Sequence, residues 1–188
     1  GYWDIAQKFI ENGANNYDIA LSYAAIGGKL DIAEELINLG AKDINGALVS
    51  ACEGNHFELV KYFIENGANV NTKAYIEPYR YYEGAERKYP ITATTDINII
   101  KELINAGATN LNEAIIYNAK QTNRIDIIFN LLELGADINA KNYGNEKTLL
   151  MYLIEKENPN IEAIKRIIES GADINATDRN GNNILIRA

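Results

Sequence analysis

The chain is predicted to be all-α, a solenoid of stacked helix-turn-helix units, and three observations predict it. A ten-residue apolar pattern starts at Trp3, Leu30, Phe57, Ile97, Ile125 and Ile161, and reaches Gly-Ala ten residues later, at Gly13, Gly40, Gly67, Gly107, Gly135 and Gly171. Within each copy the apolar residues fall at offsets 0, 2, 3, 6 and 7, as in Phe57, Leu59, Val60, Phe63 and Ile64, which is one face of a helix. A stripe on so short a helix cannot be buried by one unit alone, so neighbouring units must stack into a continuous core.

Each element follows from local chemistry. The glycine is a stop signal, because a helix ends most cheaply where the next residue can turn left-handed without a side-chain clash. Successive glycines lie 27, 27, 40, 28 and 36 residues apart, so the units are residues 13–39, 40–66, 67–106, 107–134 and 135–170, with partial units at 1–12 and 171–188. All are read as one array over 1–188. The three short units leave room for a first helix near Tyr17 to Ile26, Asn45 to Glu53 and Asn112 to Gln121, and little before it. Gly27-Gly28, Gly54-Asn55 and Thr122-Asn123 then make the turns to the second helix. Hairpin fingers are expected near Asn142-Tyr143-Gly144 and Asp178-Arg179-Asn180-Gly181, which supply turn residues. Leu59 and Ile127 are expected in the interior. Both ends are partial units, which points to a longer parent protein.

The segments "GNHFELVKYFIENGANVN" from Gly54, "GADINAKNYGNEKTLL" from Gly135 and "GADINATDRNGNNIL" from Gly171 resemble the ankyrin repeat, and the resemblance covers essentially the whole chain. It implies an ankyrin-repeat solenoid of helix-turn-helix units with short or missing β-hairpin fingers and one long insertion. The usual Thr-Pro-Leu-His opening is nowhere intact; Thr148-Leu149-Leu150 and Tyr89-Pro90-Ile91 are its echoes. The family pattern also implies that His56 hydrogen-bonds neighbouring backbone. Abundant Ile, Asn, Lys and Tyr in shortened repeats look like the ankyrin proteins of large DNA viruses or of AT-rich intracellular bacteria.

The unit from Gly67 to Gly107 breaks the rhythm. Residues 71–90, NTKAYIEPYRYYEGAERKYP, hold Tyr75, Tyr79, Tyr81, Tyr82 and Tyr89, five of the twelve tyrosines, interleaved with Arg80, Arg87 and Lys88. Four basic and three acidic side chains give this segment +1, which leaves −9 on the rest of a chain of net charge −8. Tyrosine and arginine combine contact area with hydrogen bonding, so the segment reads as a partner-recognition finger. The bland reading is a loop that folds back to bury its rings where only Ile91 to Thr95 remain of a first helix.

Net charge disfavours nucleic acid and anionic membrane and makes a basic surface the better match for a partner protein. No apolar run is long enough to span a bilayer. Gly1-Tyr2-Trp3 leads straight into the first helix with no signal peptide, and Gly1 is not a methionine, so a cytoplasmic location, or the cytosol of a host cell, is a provisional expectation. The lone Cys52 excludes an internal disulfide. Cys52 and His56, the only histidine, are two candidate ligands where zinc wants three or four, so neither a metal nor a cofactor is expected. The carboxylates spread over the outer positions of second helices, glycines never form a phosphate-cradling run, and no catalytic residue stands out. Asn175-Ala176-Thr177 is read as a chance glycosylation sequon.

The expectation is a non-enzymatic scaffold for a partner protein, a host-directed effector, and the resemblance to ankyrin repeats implies that the partner is held on the concave finger face. The contact residues are Tyr75, Tyr79, Arg80, Tyr81, Tyr82, Arg87 and Tyr89 on the insertion, with Asn142, Tyr143, Asp178 and Arg179 on the later fingers. The alternative is the substrate-recruiting or regulatory arm of a larger enzyme, for example a ubiquitin ligase component.

Overall fold

In the computed structural model, residues 7–8, 10–76, 86–121 and 124–186 are described. The pattern start at Trp3 and the turn at Thr122-Asn123 lie outside them; residues 7–8 and 10–11 are helical. The chain forms two compact units, residues 1–109 and 110–188.

The first unit carries α1 (Tyr17–Ile26), α2 (Leu30–Asn38), α3 (Ile44–Glu53), α4 (Phe57–Glu65), the one-turn α5 (Pro90–Ala93) and α6 (Ile97–Asn105). The second carries α7 (Leu111–Lys120), α8 (Ile125–Glu133), the short α9 (Leu149–Ile154), α10 (Ile161–Glu169) and a 3-10 turn at Ile184–Ile186. The five second helices whose starts are described begin at the residue the sequence pattern marks, and the first helices expected in the three short repeats fall within one residue of expectation.

The two kinds of helix differ because their surroundings do. First helices are packed on most sides: α3 rests on α1, α4 and α5, and its Gly46 to Cys52 stretch is wholly buried. Small residues sit there, Ala47, Ser50 and Ala51, and Gly46 leaves room for its own helix cap, since a Cβ would stand 2.5 Å from Asp43 Oδ2. Second helices bury one stripe. In α4 that stripe is Leu59, Val60 and Phe63, in α6 it is Ile99, Ile100 and Leu103, and in α8 it is Ile128 and Leu131. Offset 6 of the pattern is buried in each of α2, α4, α6, α8 and α10, whereas the residue at offset 0 is exposed or half-buried. Ile127 is a correction: it is half-buried, and its neighbour Ile128 is the fully buried side chain. Periodicity assigns an angle on the helix, and the covering neighbour decides the burial.

The Gly-Ala pair acts as a unit. All six glycines are left-handed, with φ between +87° and +107°. The next alanine then donates its N–H five residues back, Ala41 to Leu36 at 3.0 Å, Ala68 to Phe63 at 2.9 Å, Ala108 to Leu103 at 2.8 Å, Ala136 to Leu131 at 2.9 Å and Ala172 to Ile167 at 3.2 Å. This bond closes a Schellman stop and satisfies a carbonyl that the helix end would leave open.

Inside each compact unit an Asx side chain then ties a repeat to the Gly-Ala stop that follows it. Asp18 accepts from the N–H groups of Lys42 and Asp43, and Asn45 accepts from Asn69 at 2.7 Å. In the irregular unit Asn71 takes over, accepting from the Thr109 N–H at 2.9 Å and donating to the Gly107 carbonyl at 2.9 Å. Within the second unit Asn112 accepts from Asp137 at 2.9 Å, and Asn139 from Asp173 at 2.8 Å while donating to Gly171.

The candidate partner-binding fingers

The insertion that begins at Asn71 is anchored by an antiparallel bridge. Ala74 and Lys88 exchange both backbone bonds, Ala74 N–H to Lys88 at 3.0 Å and Lys88 N–H to Ala74 at 2.9 Å. Because strand side chains alternate, this pairing places Lys73 opposite Tyr89 and Tyr75 opposite Arg87 on one face. Both cross-strand pairs form cation–π contacts: Lys73 Nζ lies 4.8 Å from the Tyr89 ring centre, and Arg87 lies 5.4 Å from that of Tyr75. On the other face Lys88 donates to Glu53 of α3 at 2.8 Å, which pins the neck to the stack.

Below the neck, Val70, Ala74 and Ile76 are buried, and Pro90 to Ala93 form the single buried turn α5. The lost first helix is thus patched by the base of the insertion, while Tyr75 and Tyr89 stay half-buried and Lys73 and Arg87 exposed. Tyr79, Arg80, Tyr81 and Tyr82 lie outside the described residues.

The finger near Asn142 is built by its own polar side chains. Lys141 bridges Thr148, and the Asn142 carboxamide oxygen accepts from the N–H groups of Gly144 at 2.8 Å and Asn145 at 3.2 Å. The left-handed residue is Glu146, with φ +56°, rather than Gly144. Tyr143 projects from this turn, 85% exposed. Arg179 holds its backbone, with Nη2 donating to the Tyr143 carbonyl at 3.1 Å and its N–H to that of Asn145 at 3.0 Å. Asp178 is 6% exposed and accepts from the N–H groups of Asn180 and Asn182, both at 2.9 Å. Asn142 and Asp178 are therefore turn builders, and Tyr143 and Arg179 are the residues that reach the surface.

His56 sits at the turn into α4, where its Nε2 donates to the Ile26 carbonyl across the gap between units at 3.0 Å. Its ring fills the space over Gly28 and Gly54: a Cβ on Gly54 would stand 2.5 Å from His56 Cδ2 and 2.7 Å from the Ile26 oxygen. Cys52 is fully buried, and burial, with Glu53 adding, pushes its thiol far above the usual range, so the reactive thiolate is suppressed. Among the described residues no three His, Cys, Asp or Glu side chains converge on a point where a metal ion could sit. No described helix is long and apolar enough to cross a membrane.

Sequence reading missed the Asx rungs. Their signal was present: the Asx lies five residues after the glycine in the short units (Asp18, Asn45, Asn112) and four after it in the finger-bearing ones (Asn71, Asn139).

Two family models for ankyrin repeats match the chain, one of three copies at residues 1–74 and one of many copies at residues 149–188. Among solved structures, the human ASB11 ankyrin repeat domain matches with a TM-score of 0.67 at 21% identity, covering 97% of this chain and 85% of that one. At that identity the likeness speaks to the fold. No curated protein sequence matches.

Proposed function

Because the chain belongs to the ankyrin-repeat proteins, we propose that it is a scaffold holding a partner protein on its fingers and first helices, with the Tyr75 to Tyr89 insertion as the principal contact. Ankyrin repeats generally mediate protein–protein interaction, and domains of this kind are typically non-catalytic. The observation that supports the finer reading is the neck at Ala74 and Lys88. Two cation–π pairs and an ion pair to Glu53 hold the base of a tyrosine- and arginine-rich segment in place, which lowers the entropy lost when such a segment binds. Tyr143 offers a second anchor, a large exposed ring on a turn whose backbone Arg179 already holds. Composition and shortened repeats make a host protein with a basic surface the partner class in this reading, and the cytosol the compartment.

The test compares capture by the intact chain, by the variant Y79S/R80S/Y81S/Y82S, and by K101S/K165S on the exposed side of second helices. A partner bound by the intact chain and by K101S/K165S, and lost from the quadruple variant at unchanged helical content and melting temperature, supports the reading. A partner kept by the quadruple variant and lost from K101S/K165S overturns it.

A further inference from the structure

The connections from first to second helix are three residues long at 27–29, 54–56 and 94–96, then four between α7 and α8 and six between α9 and α10. Beside the two widest connections lies a cleft of about 660 Å³, a size typical of small-ligand sites. Its apolar side is the half-buried Ile125 above the buried Ile128 and Leu153, and around it stand Gln121, Arg124, Lys156 and Asn158 together with the carboxylates of Glu155 and Glu157.

Two of these groups are held in place by backbone and buried amide. Asn118, 1% exposed, donates to the Ala114 carbonyl at 2.9 Å and accepts from Arg124 Nη1 at 3.2 Å, which orients the guanidinium and uses one of its five N–H groups. Lys156 Nζ donates to the Lys120 carbonyl at 2.6 Å, capping the C-terminal end of α7. Neither cation forms an ion pair with a described carboxylate. Glu155 is taken by Lys147 at 2.6 Å, and Glu157 on the lining pairs with no described cation. Burial accordingly lowers the Lys156 pKa with no anion to offset it. The Gln121 and Asn158 side-chain amides have no partner among the described residues, so their donors remain available.

We propose that this cleft binds a carboxylate-bearing ligand, with the carboxylate on the Arg124 fork and the Lys156 ammonium and an aliphatic stem against Ile125. Planar guanidinium and carboxylate match in geometry, and a charge-assisted bond of this kind is about twice as strong as a neutral one. Glu155 and Glu157 on the lining disfavour a second acid group on the same ligand. The carboxylate can belong to a free aliphatic acid or to a glutamate side chain of a peptide. The site is at the opposite end of α9 from the Asn142 finger, so its fate and that of the finger reading are independent.

The experiment titrates the isotopically labelled chain with hexanoate, with hexanamide as the neutral control, and with the blocked peptide acetyl-Leu-Glu-Leu-amide, following backbone amide signals. Hexanoate or the peptide should shift amides of residues 118–121, 124–128 and 153–160 saturably, while hexanamide does not. Tighter binding of the peptide assigns the site to peptide segments, and tighter binding of hexanoate to free acids. Lys156→Gln should weaken binding roughly tenfold, the loss expected for one charge-assisted bond. Arg124→Gln should weaken it at least as much, and Lys156→Gln decides if Arg124→Gln disturbs the fold. Absence of saturable shifts from either acid, equal shifts from hexanamide, or undiminished affinity in a folded Lys156→Gln variant overturns the proposal.

Discussion

The two short repeats between Gly13 and Asn66 and the finger-bearing repeats that start at Gly67 and Gly135 reach the same junction by different chain paths. In the short repeats the tie to the next Gly-Ala stop comes from the first helix, where Asp18 and Asn45 accept backbone N–H groups from residues 24 and 25 positions ahead. In the finger repeats it comes from the finger base, where Asn71 and Asn139 reach 38 and 34 positions ahead and also donate to the glycine carbonyl. The first helix shrinks at the same time, from ten residues in α1 and α3 to four in α5 and six in α9. Stop, rung and second helix are preserved while the finger and first helix vary. Stacking requires only that the second helices and their ends stay in register, which leaves the fingers open to change.

The strongest way to break that comparison is to attack the part both kinds of repeat share. Leu59→Asp places an unpaired carboxylate in a wholly packed stripe and should destabilise the chain by about 3 kcal/mol or more. Ile127→Asp, on the half-buried flank of α8, should cost roughly a third of that. Urea denaturation followed by circular dichroism measures both; equal losses would mean that offset 2 of the pattern is as deeply buried in α8 as in α4.

A feature confined to the short repeats is the His56 wedge. Gly28 has φ +71°, and a Cβ there would stand 2.6 Å from His56 Cε1, so Gly28→Val combines backbone strain with a clash and should cost about 3 kcal/mol. Gly135 has φ +97° with nothing within 4 Å of a Cβ, so Gly135→Val should cost about 1 to 2 kcal/mol from strain alone. The difference in midpoint measures how tightly the imidazole seals the junction, and His56→Ala in the Gly28→Val background should recover part of it.

What was legible in advance follows the same division. The five second helices from Leu30 onward and the six left-handed glycines of the Gly-Ala stops were readable, because apolar period and backbone freedom are local properties. The shortness of α5 was readable from the chain left between Tyr89 and Asp96. Asp178 was not: in sequence it is an exposed-looking turn aspartate, and only the folded turn shows its carboxylate gathering the N–H groups of Asn180 and Asn182. The cleft beside Arg124 and Lys156 was illegible for a related reason, since residues more than thirty positions apart form it. Ile127 shows the limit of periodicity itself, because an apolar offset is an opportunity for burial that the neighbouring unit must take up.

The rungs discriminate the two paths at smaller cost. Asn71→Asp removes the donor to the Gly107 carbonyl and sets a charge beside that oxygen, for an expected loss of about 1 to 2 kcal/mol. Asp18→Asn keeps an acceptor for Lys42 and Asp43 and should cost about 0.5 kcal/mol. Thermal melts of the pair decide whether the finger repeats depend on the bidentate amide. Buried hydroxyls make a parallel contrast. The Ser50 hydroxyl in α3 is buried with no hydrogen-bond partner among the described residues, so Ser50→Ala should stabilise by up to ~1 kcal/mol. Thr148 caps α9 through the Met151 N–H at 3.4 Å, so Thr148→Ala should destabilise by a similar ~1 kcal/mol.

The smallest expected effect bears most directly on the finger. Lys88 and Glu53 are 2.8 Å apart with side chains 19% and 31% exposed, and they join the neck to α3, whereas Lys61 and Glu65 are 3.9 Å apart on the outside of α4 with side chains 50% and 64% exposed. A double-mutant cycle with Lys88→Met and Glu53→Gln should return a coupling of about 0.5 to 1 kcal/mol, and the same cycle on Lys61 and Glu65 about 0.3 kcal/mol or less. The two pairs also differ in kind. Lys61 and Glu65 stabilise a helix that forms without them, so their removal should leave the exchange of distant amides unchanged. Lys88 ties a long excursion of chain to the stack, and its loss should speed hydrogen exchange at the Ala74 and Lys88 amides while those of α3 stay protected. Unchanged exchange at Ala74 would mean that the backbone bridge and the cation–π pairs hold the neck without the ion pair, and that Glu53 only satisfies a nearby cation.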